Sequence, residues 1–307
     1  MYHRFNENKY PSTNIKIDIF KKQLELIKEN NIEYYDPAIF DTEYNYPKKN
    51  KKILITIDDA FSSFYENAWP ILKKEEIPFI LFVSTEPVGK PGYMTWEQIK
   101  EVSNYNFAYI GNHSHTHEYL LDFSHLEFMK DIKNSIRIFR EKLGYNPIYF
   151  SYPFGEYNLK QTQFIKNNFK YGFGQHSGVI DLTKNPFELP RFPINEEYGN
   201  LDRFEFIIKL FPIPYKNLIP QDKYINSKQN PPTIEIDFFE AQKNIKNINC
   251  FSNEGNKWRN SIMKFEKNSL KIDFREKFIF RRGRVNCSIK DDDIWRWLGV
   301  QISVEIN

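Results

Sequence analysis

Over its first two-thirds the chain alternates short, unbroken apolar runs with amphipathic helical stretches, and this alternation restricts its fold more than any other feature. Ile53-Leu54-Ile55-Thr56-Ile57 and Pro78-Phe79-Ile80-Leu81-Phe82-Val83 are rich in β-branched and large apolar residues, which suits strands buried on both faces. Residues 107–111 and 148–152 read as two further strands. Between them the apolar spacing predicts helices over 18–30, with Phe20, Leu24 and Ile27 on one face, over 64–75 and over 96–103. A longer helix starts at Ser124, where Ser124 and Glu127 form a capping box. Phe128, Ile132, Ile136, Phe139 and Leu143 carry its apolar face, and Gly144 stands where a C-cap glycine belongs. Asn158 caps the helix that follows. Repeated β-α units need a parallel sheet with covering helices. Too few strands are visible for a full eight-stranded barrel. The expected fold is therefore α/β, an incomplete or distorted (β/α) barrel.

Pro212, Pro214, Pro220, Pro231 and Pro232 then break the pattern, because neither a helix nor a central strand tolerates that density. Residues 212–232 read as a Pro-rich linker between a catalytic domain over 1–211 and a small β-domain over 233–307. Strands separated by Asn-, Gly- and Asp-rich turns are expected at 233–239, 269–274, 277–281, 284–289 and 299–306, forming a small sandwich. Cys250 and Cys287 fall in this part; two buried thiols is the plainer reading and one disulfide the other. Trp258, Trp295 and Trp297 offer a sugar-stacking face, though core or interface positions are the commoner use of such residues. Arg281-Arg282-Gly283-Arg284 reads as a solvated basic hairpin turn, with contact to an acidic glycan or phosphate the other reading.

Composition excludes several classes. With 40% hydrophobic and 17% aromatic residues the chain has ample material for a core, so it is not disordered. No run of about 18 apolar residues offers a transmembrane helix. The net charge of +3 without a basic stripe gives no reason to expect nucleic acid as a partner. Met1-Tyr2-His3-Arg4-Phe5 lacks the charged start and apolar stretch of a signal peptide. As it stands the chain reads as cytoplasmic, or as a periplasmic or cell-envelope protein from which an export signal has been removed.

The chemistry is expected at the strand ends, the rim where α/β barrels build their sites. The run 53–57 ends in Asp58-Asp59, the run 107–111 leads into Asn112-His113-Ser114-His115-Thr116-His117, and the run 148–152 leads into Pro153-Phe154-Gly155. Three histidines in five residues suit a metal site better than a solvated loop, and several pairs among His113, His115 and His117 are open. A carboxylate from Asp58 or Asp59 would complete a two-His, one-carboxylate set with a position left for water. Neighbouring aspartates at a strand end point in different directions, so one can bind metal while the other handles protons; capping of the next helix is the plainer alternative.

These residues carry a family resemblance over roughly residues 2–195. Ile55-Thr56-Ile57-Asp58-Asp59 resembles the Thr-Phe-Asp-Asp motif of the polysaccharide deacetylases, the NodB-homology or family 4 carbohydrate esterases. His113-Ser114-His115-Thr116-His117 is similar to their His-Ser/Thr-x-x-His motif, and Phe150-Ser151-Tyr152-Pro153-Phe154-Gly155 to their Arg-Pro-Pro-Tyr/Phe-Gly motif. Tyr2-His3-Arg4 and the first helix look like the branch that de-N-acetylates poly-N-acetylglucosamine in biofilms.

The resemblance implies Asp58 as general base, and Asp59, His113 and His117 as ligands of a divalent metal, usually zinc. It makes His115 a non-ligand, Ser114 a brace and the Phe154 backbone N–H part of an oxyanion hole. Ser151 stands where the family has an arginine that orients the base, and Arg191 is a candidate for that contact. No Asp-x-x-Asp-Trp motif is found, and Leu189-Pro190-Arg191 carries arginine where the family's late Leu-x-His motif supplies the general acid. His176 is the one histidine downstream of the third motif and a candidate acid, with a surface-loop position the plainer reading and a doubly used Asp58 or water the other proton sources. The implied activity is removal of N-acetyl groups from N-acetylhexosamine residues of a cell-surface or biofilm glycan. The alternatives are a de-N-acylase of a lipid-linked sugar or O-antigen precursor, and a catalytically impaired glycan-binding protein.

Overall fold

In the computed structural model, residues 1–45, 51–240 and 244–305 are described. Five parallel strands, Ile55–Asp58, Phe79–Val83, Ala108–Asn112, Tyr149–Ser151 and Tyr171–Phe173, pair in that spatial order. Sequential order without a reversal winds every crossover the same way, so the sheet curls as a barrel does instead of splitting around a switch point. The long helix His125–Leu143 has its Ser124–Glu127 capping box, and Gly144 ends it at φ 84°. Asn158 caps Leu159–Lys166. The expected helix over 64–75 is instead a π turn, Phe64–Ala68, running into Trp69–Glu75. Pro70 lacks the N–H that a regular helix needs there, so the register shifts ahead of it.

The central strands are buried on both faces. Phe79, Leu81 and Val83 join a cluster under the outer helices, while Ile80 and Phe82 pack inward with Phe40, Tyr149, Tyr171 and Phe173. Gly111 is needed here, since a Cβ at that position would meet the Phe82 ring at 2.3 Å.

Both edges of the sheet gain short additions that the sequence reading missed. Tyr2 bridges Ile57 in parallel, its N–H donating to the Thr56 carbonyl and the Asp58 N–H donating to its own carbonyl. Leu189 bridges Phe173 at the opposite edge. The segment after Leu189 then returns to the first strand: the Ile194 N–H donates to the Met1 carbonyl, and the Met1 ammonium to the Phe192 carbonyl. The run expected as one strand over 53–57 divides, with Lys52–Ile53 pairing Glu33–Tyr34 and Ile55–Asp58 entering the main sheet.

The C-terminal part is all β. One sheet is ordered Phe211–Pro212, Ile294–Val304, Arg282–Asp291, Asn249–Ser252, Arg259–Asn260, with Tyr224–Ile225 also on Ile294–Val304. The other is ordered Asn217–Ile219, Ile234–Asp237, Ser269–Asp273, Ile262–Glu266. Ile234, Ile236, Leu270 and Ile272 from one sheet and Val285, Cys287, Val300 and Ile302 from the other share one core.

Several expectations are corrected. Segment 212–232 does not merely link: it supplies short edge strands, the place where proline is tolerated. Residues 277–281 form no strand, and Asn249–Ser252 and Ile262–Glu266 are strands that were not foreseen. Ile306, the expected end of the last strand, lies outside the described residues. Cys250 and Cys287 are not free thiols; they face each other across an antiparallel pair, Cα–Cα 4.1 Å, and form a disulfide. The tryptophans make no common face: two strands separate Trp258 from Trp295 and Trp297, Trp297 donates its Nε1–H to the Ser177 carbonyl, and Trp295 packs on Phe206.

Candidate metal and catalytic centre

Two strand ends, one on each side of Phe79–Val83, converge at the rim. Ile55–Asp58 delivers Asp58 and then Asp59, and Ala108–Asn112 leads into the histidine loop. The turns are sharp: Asp59 (φ 75°), Ala60 (54°), Ser114 (69°), His117 (59°) and Phe154 (58°) all hold left-handed backbone without being glycine. Such conformations persist only where the surroundings over-determine them.

The surroundings do so here. The Ser114 N–H donates to Asn112 Oδ1 and the His117 N–H to Ser114 Oγ, so Ser114 braces the loop. Asp131, from the long helix, accepts from the His115 N–H, the Thr116 N–H and the Thr116 hydroxyl. His115 turns its ring away, with Nδ1 2.8 Å from Thr85 Oγ1.

One carboxylate oxygen of Asp59 and the imidazole nitrogens of His113 and His117 lie within 4.8 Å of one another. Asp59 Oδ1 is 3.5 Å from His113 Nε2 and 3.1 Å from His117 Nε2. His113 Nδ1 is 2.7 Å from the Ser151 carbonyl, which can only accept, so Nδ1 carries the proton and Nε2 presents a lone pair. Burial lowers the His113 imidazole to about 4, so it stays neutral. A bare lone pair facing a carboxylate oxygen is repulsive unless a cation lies between them. His113 Nε2 and Asp59 Oδ1 are both buried without a hydrogen bond, which is how ligands for an ion are left. The donor set thus fits a divalent metal. Burial opposes ionisation of Asp59, but the charge of His117 beside it outweighs burial and holds the carboxyl well below its usual range.

Asp58 sits behind this set, fully buried, with Oδ2 3.8 Å from His113 Nε2. Arg191 grips it with two bonds, Nη1 to Oδ1 at 2.7 Å and Nη2 to Oδ2 at 2.9 Å. The same guanidinium donates to Ser151 Oγ and, through Nε, to the Gly174 carbonyl. Burial works against the Asp58 charge, yet Arg191, His113 and His3 prevail and its pKa falls below the ordinary value.

Phe154 borders the set, its ring 4.9 Å from that of His117 and stacked on Tyr119 at 4.0 Å. His176 does not join it. His176 lies in the cleft against the β-part, beside Lys223 and Gln301, and burial lowers it to about 4. His3 is the histidine the sequence reading passed over. It follows the Tyr2 bridge to Ile57, and the charges of Asp59 and Asp58 both act on its imidazole, although burial lowers it overall. A polar residue just beyond the Tyr2 bridge was the available signal. For Asp131 the signal was a carboxylate on the apolar face between Phe128 and Ile132.

The parallel sheet thus carries two histidines and an Asp-Asp pair at its carboxyl rim, an arrangement that could hold a metal ion. Residues 45–171 match the model of the polysaccharide deacetylase family. The chain is 27% identical over 208 residues to the poly-beta-1,6-N-acetyl-D-glucosamine N-deacetylase of Staphylococcus aureus (strain MSSA476), covering 62% of this chain and 69% of the relative. The enzyme of the same name from Staphylococcus epidermidis is 26% identical over 209 residues, with the same coverage. Among solved structures, the Streptococcus pyogenes deacetylase PplD in complex with acetate matches with a TM-score of 0.59 and 25% identity over 64% of this chain and 92% of that one. IcaB from Ammonifex degensii shares the fold, with a TM-score of 0.61, 23% identity and coverage of 67% and 94%. No helix among the described residues is long and apolar enough to cross a membrane.

Proposed function

We propose that this chain hydrolyses N-acetyl groups from N-acetylglucosamine residues of a β-1,6-linked cell-surface or biofilm polysaccharide, with a divalent metal, zinc by its donor set, held by Asp59, His113 and His117. The observation that carries the reading is the meeting of these three donors, two of their atoms buried and unbonded, beside the Arg191-held carboxylate of Asp58. The names of the staphylococcal relatives supply the glycan. The ion, when bound, acidifies a water and polarises the amide carbonyl.

The chain's own groups do the rest. Asp58 takes the proton of the attacking water, and Arg191 keeps it ionised to do so. The Phe154 N–H donates to the oxyanion. His3, on which both aspartates act, passes to the departing amine the proton that Asp58 took from the water, a role for which the sequence motifs offered no residue. Arg191 and His3 thus stand in for the two groups whose loss from the motifs favoured a glycan-binding pseudoenzyme. We also infer action at the cell envelope, since a buried disulfide such as Cys250–Cys287 is kept in oxidising compartments.

Acetate release from a β-1,6-linked N-acetylglucosamine oligomer by the zinc-loaded chain tests the reading. Turnover that disappears on chelation and returns with zinc is the expected result. No acetate from that oligomer or from its β-1,4-linked counterpart would refute the activity.

A further inference from the structure

The basic turn at residues 281–284 is not solvated. Arg281 leaves the β-part and enters the rim of the deacetylase centre, where it meets two loops at once. Its guanidinium donates to Asp122 at 2.8 and 3.1 Å and to Glu156 at 3.1 and 3.3 Å, and it lies 4.1 Å over the Tyr119 ring. Tyr119 and Asp122 belong to the stretch that follows His117, whereas Glu156 follows Phe154 in the third motif. Glu156 is buried, and burial raises its carboxyl although Arg281 and Arg282 oppose the shift.

The same loop is held at two more points. Gln301 Nε2 donates to the Gly155 carbonyl at 2.9 Å in a buried bond, and Arg282 reaches the Phe154 carbonyl at 3.5 Å. Phe154 sits between these holds with its backbone at φ 58°. An unbroken line of contacts therefore runs from Arg281 to the Tyr119 ring, to Phe154, to His117. Local sequence cannot reveal such a clamp, because its carboxylates lie 159 and 125 positions away.

We propose that Arg281 is a positioning residue of the deacetylase centre, by which the β-domain fixes the Phe154 loop and Tyr119 against His117 and so completes the site. The proposal rests on the deacetylase reading given above. In this role the β-domain acts on turnover and not as a separate glycan-holding module. Misplacement of a catalytic group by about 1 Å costs on the order of 100-fold in rate. Loss of the clamp is therefore expected to lower kcat while KM for the glycan stays nearly constant.

The test uses the full chain with Arg281→Ala, Arg281→Lys and Gln301→Ala, each loaded with zinc. On the β-1,6-linked N-acetylglucosamine oligomer, Arg281→Ala is expected to lose about 10- to 100-fold in kcat with KM within about threefold. Arg281→Lys should recover part of the loss, and the zinc content should equal that of the parent. Combined with Glu156→Gln, the Arg281→Ala loss should be less than additive, because both remove one contact. Amide exchange over residues 152–157 should accelerate in Arg281→Ala and Gln301→Ala. An unchanged kcat, or a raised KM alone, would overturn the proposal, the latter making Arg281 a glycan contact. The exchange measurement separates the two readings. If the parent releases no acetate but the loop still loosens in the variants, the clamp stands and the activity assignment falls. If exchange is unchanged, the clamp falls whatever the activity.

Discussion

Arg191 and Asp58, 133 positions apart, are joined by two parallel hydrogen bonds inside a buried pair. Arg191 lowers the Asp58 pKa, so its removal raises it, and the base is then protonated at a higher pH. In Arg191→Ala the acidic limb of the pH–rate profile for acetate release should move upward by about 1–3 pH units. Arg191→Lys should move it less, since a point charge remains without the fork. The same sign governs stability. A depressed carboxyl stabilises the fold above the ordinary carboxylate range and loses that contribution as pH falls through its folded value. An unmoved acidic limb in both variants would remove Arg191 from this role.

Metal and proton work should separate cleanly between the adjacent aspartates. The parent is expected to hold about one zinc per chain, and His113→Ala or Asp59→Asn to lose most of it in elemental analysis. Asp58→Asn should keep the ion yet lose roughly 10²–10⁴-fold in turnover. Equal zinc in His113→Ala and the parent would dissolve the site assignment.

The proton donor is decided by comparing two histidines. His3 lies in the field of both aspartates, whereas His176 faces Lys223 in the cleft with the β-part. His3→Gln should slow acetate release by about 10²-fold or more at unchanged zinc content, while His176→Gln should stay within about threefold of the parent. The reverse ranking would return the donor role to His176.

Much of this architecture is legible in local sequence because the signals are local. The Ser124–Glu127 box, Gly144 and the apolar run 79–83 act within a few residues of where they stand, and the strand-end placement of Asp58, Asp59, His113 and His117 follows from the runs before them. What escaped depends on partners far along the chain. Tyr2 joins the sheet only by bridging Ile57, Arg281 becomes an interior group only by meeting Asp122 and Glu156, and Pro-rich 212–232 gains strands only by pairing beside Ile294–Val304 and Ile234–Asp237. The break at Phe64–Ala68 has a local cause, Pro70.

The Cys250–Cys287 bond closes a loop across a sequence separation of 37 within the smaller core. Removing it by Cys250→Ser with Cys287→Ser should cost about 2–4 kcal/mol of unfolding free energy, read by urea titration of the full chain. If the β-part clamps the Phe154 loop, part of the turnover should be lost at denaturant concentrations where the parallel sheet is still intact.

The left-handed backbone at Asp59, Ala60, Ser114, His117 and Phe154 has a consequence for how the protein fails. Residues other than glycine resist these angles by about 1–3 kcal/mol each, so the rim is under tension that the buried strands do not share. On warming, the turns are expected to relax toward ordinary angles before the sheet separates. Inactivation is then a local event that precedes melting, and a sample can give an intact circular dichroism spectrum while its ligands no longer point at one another.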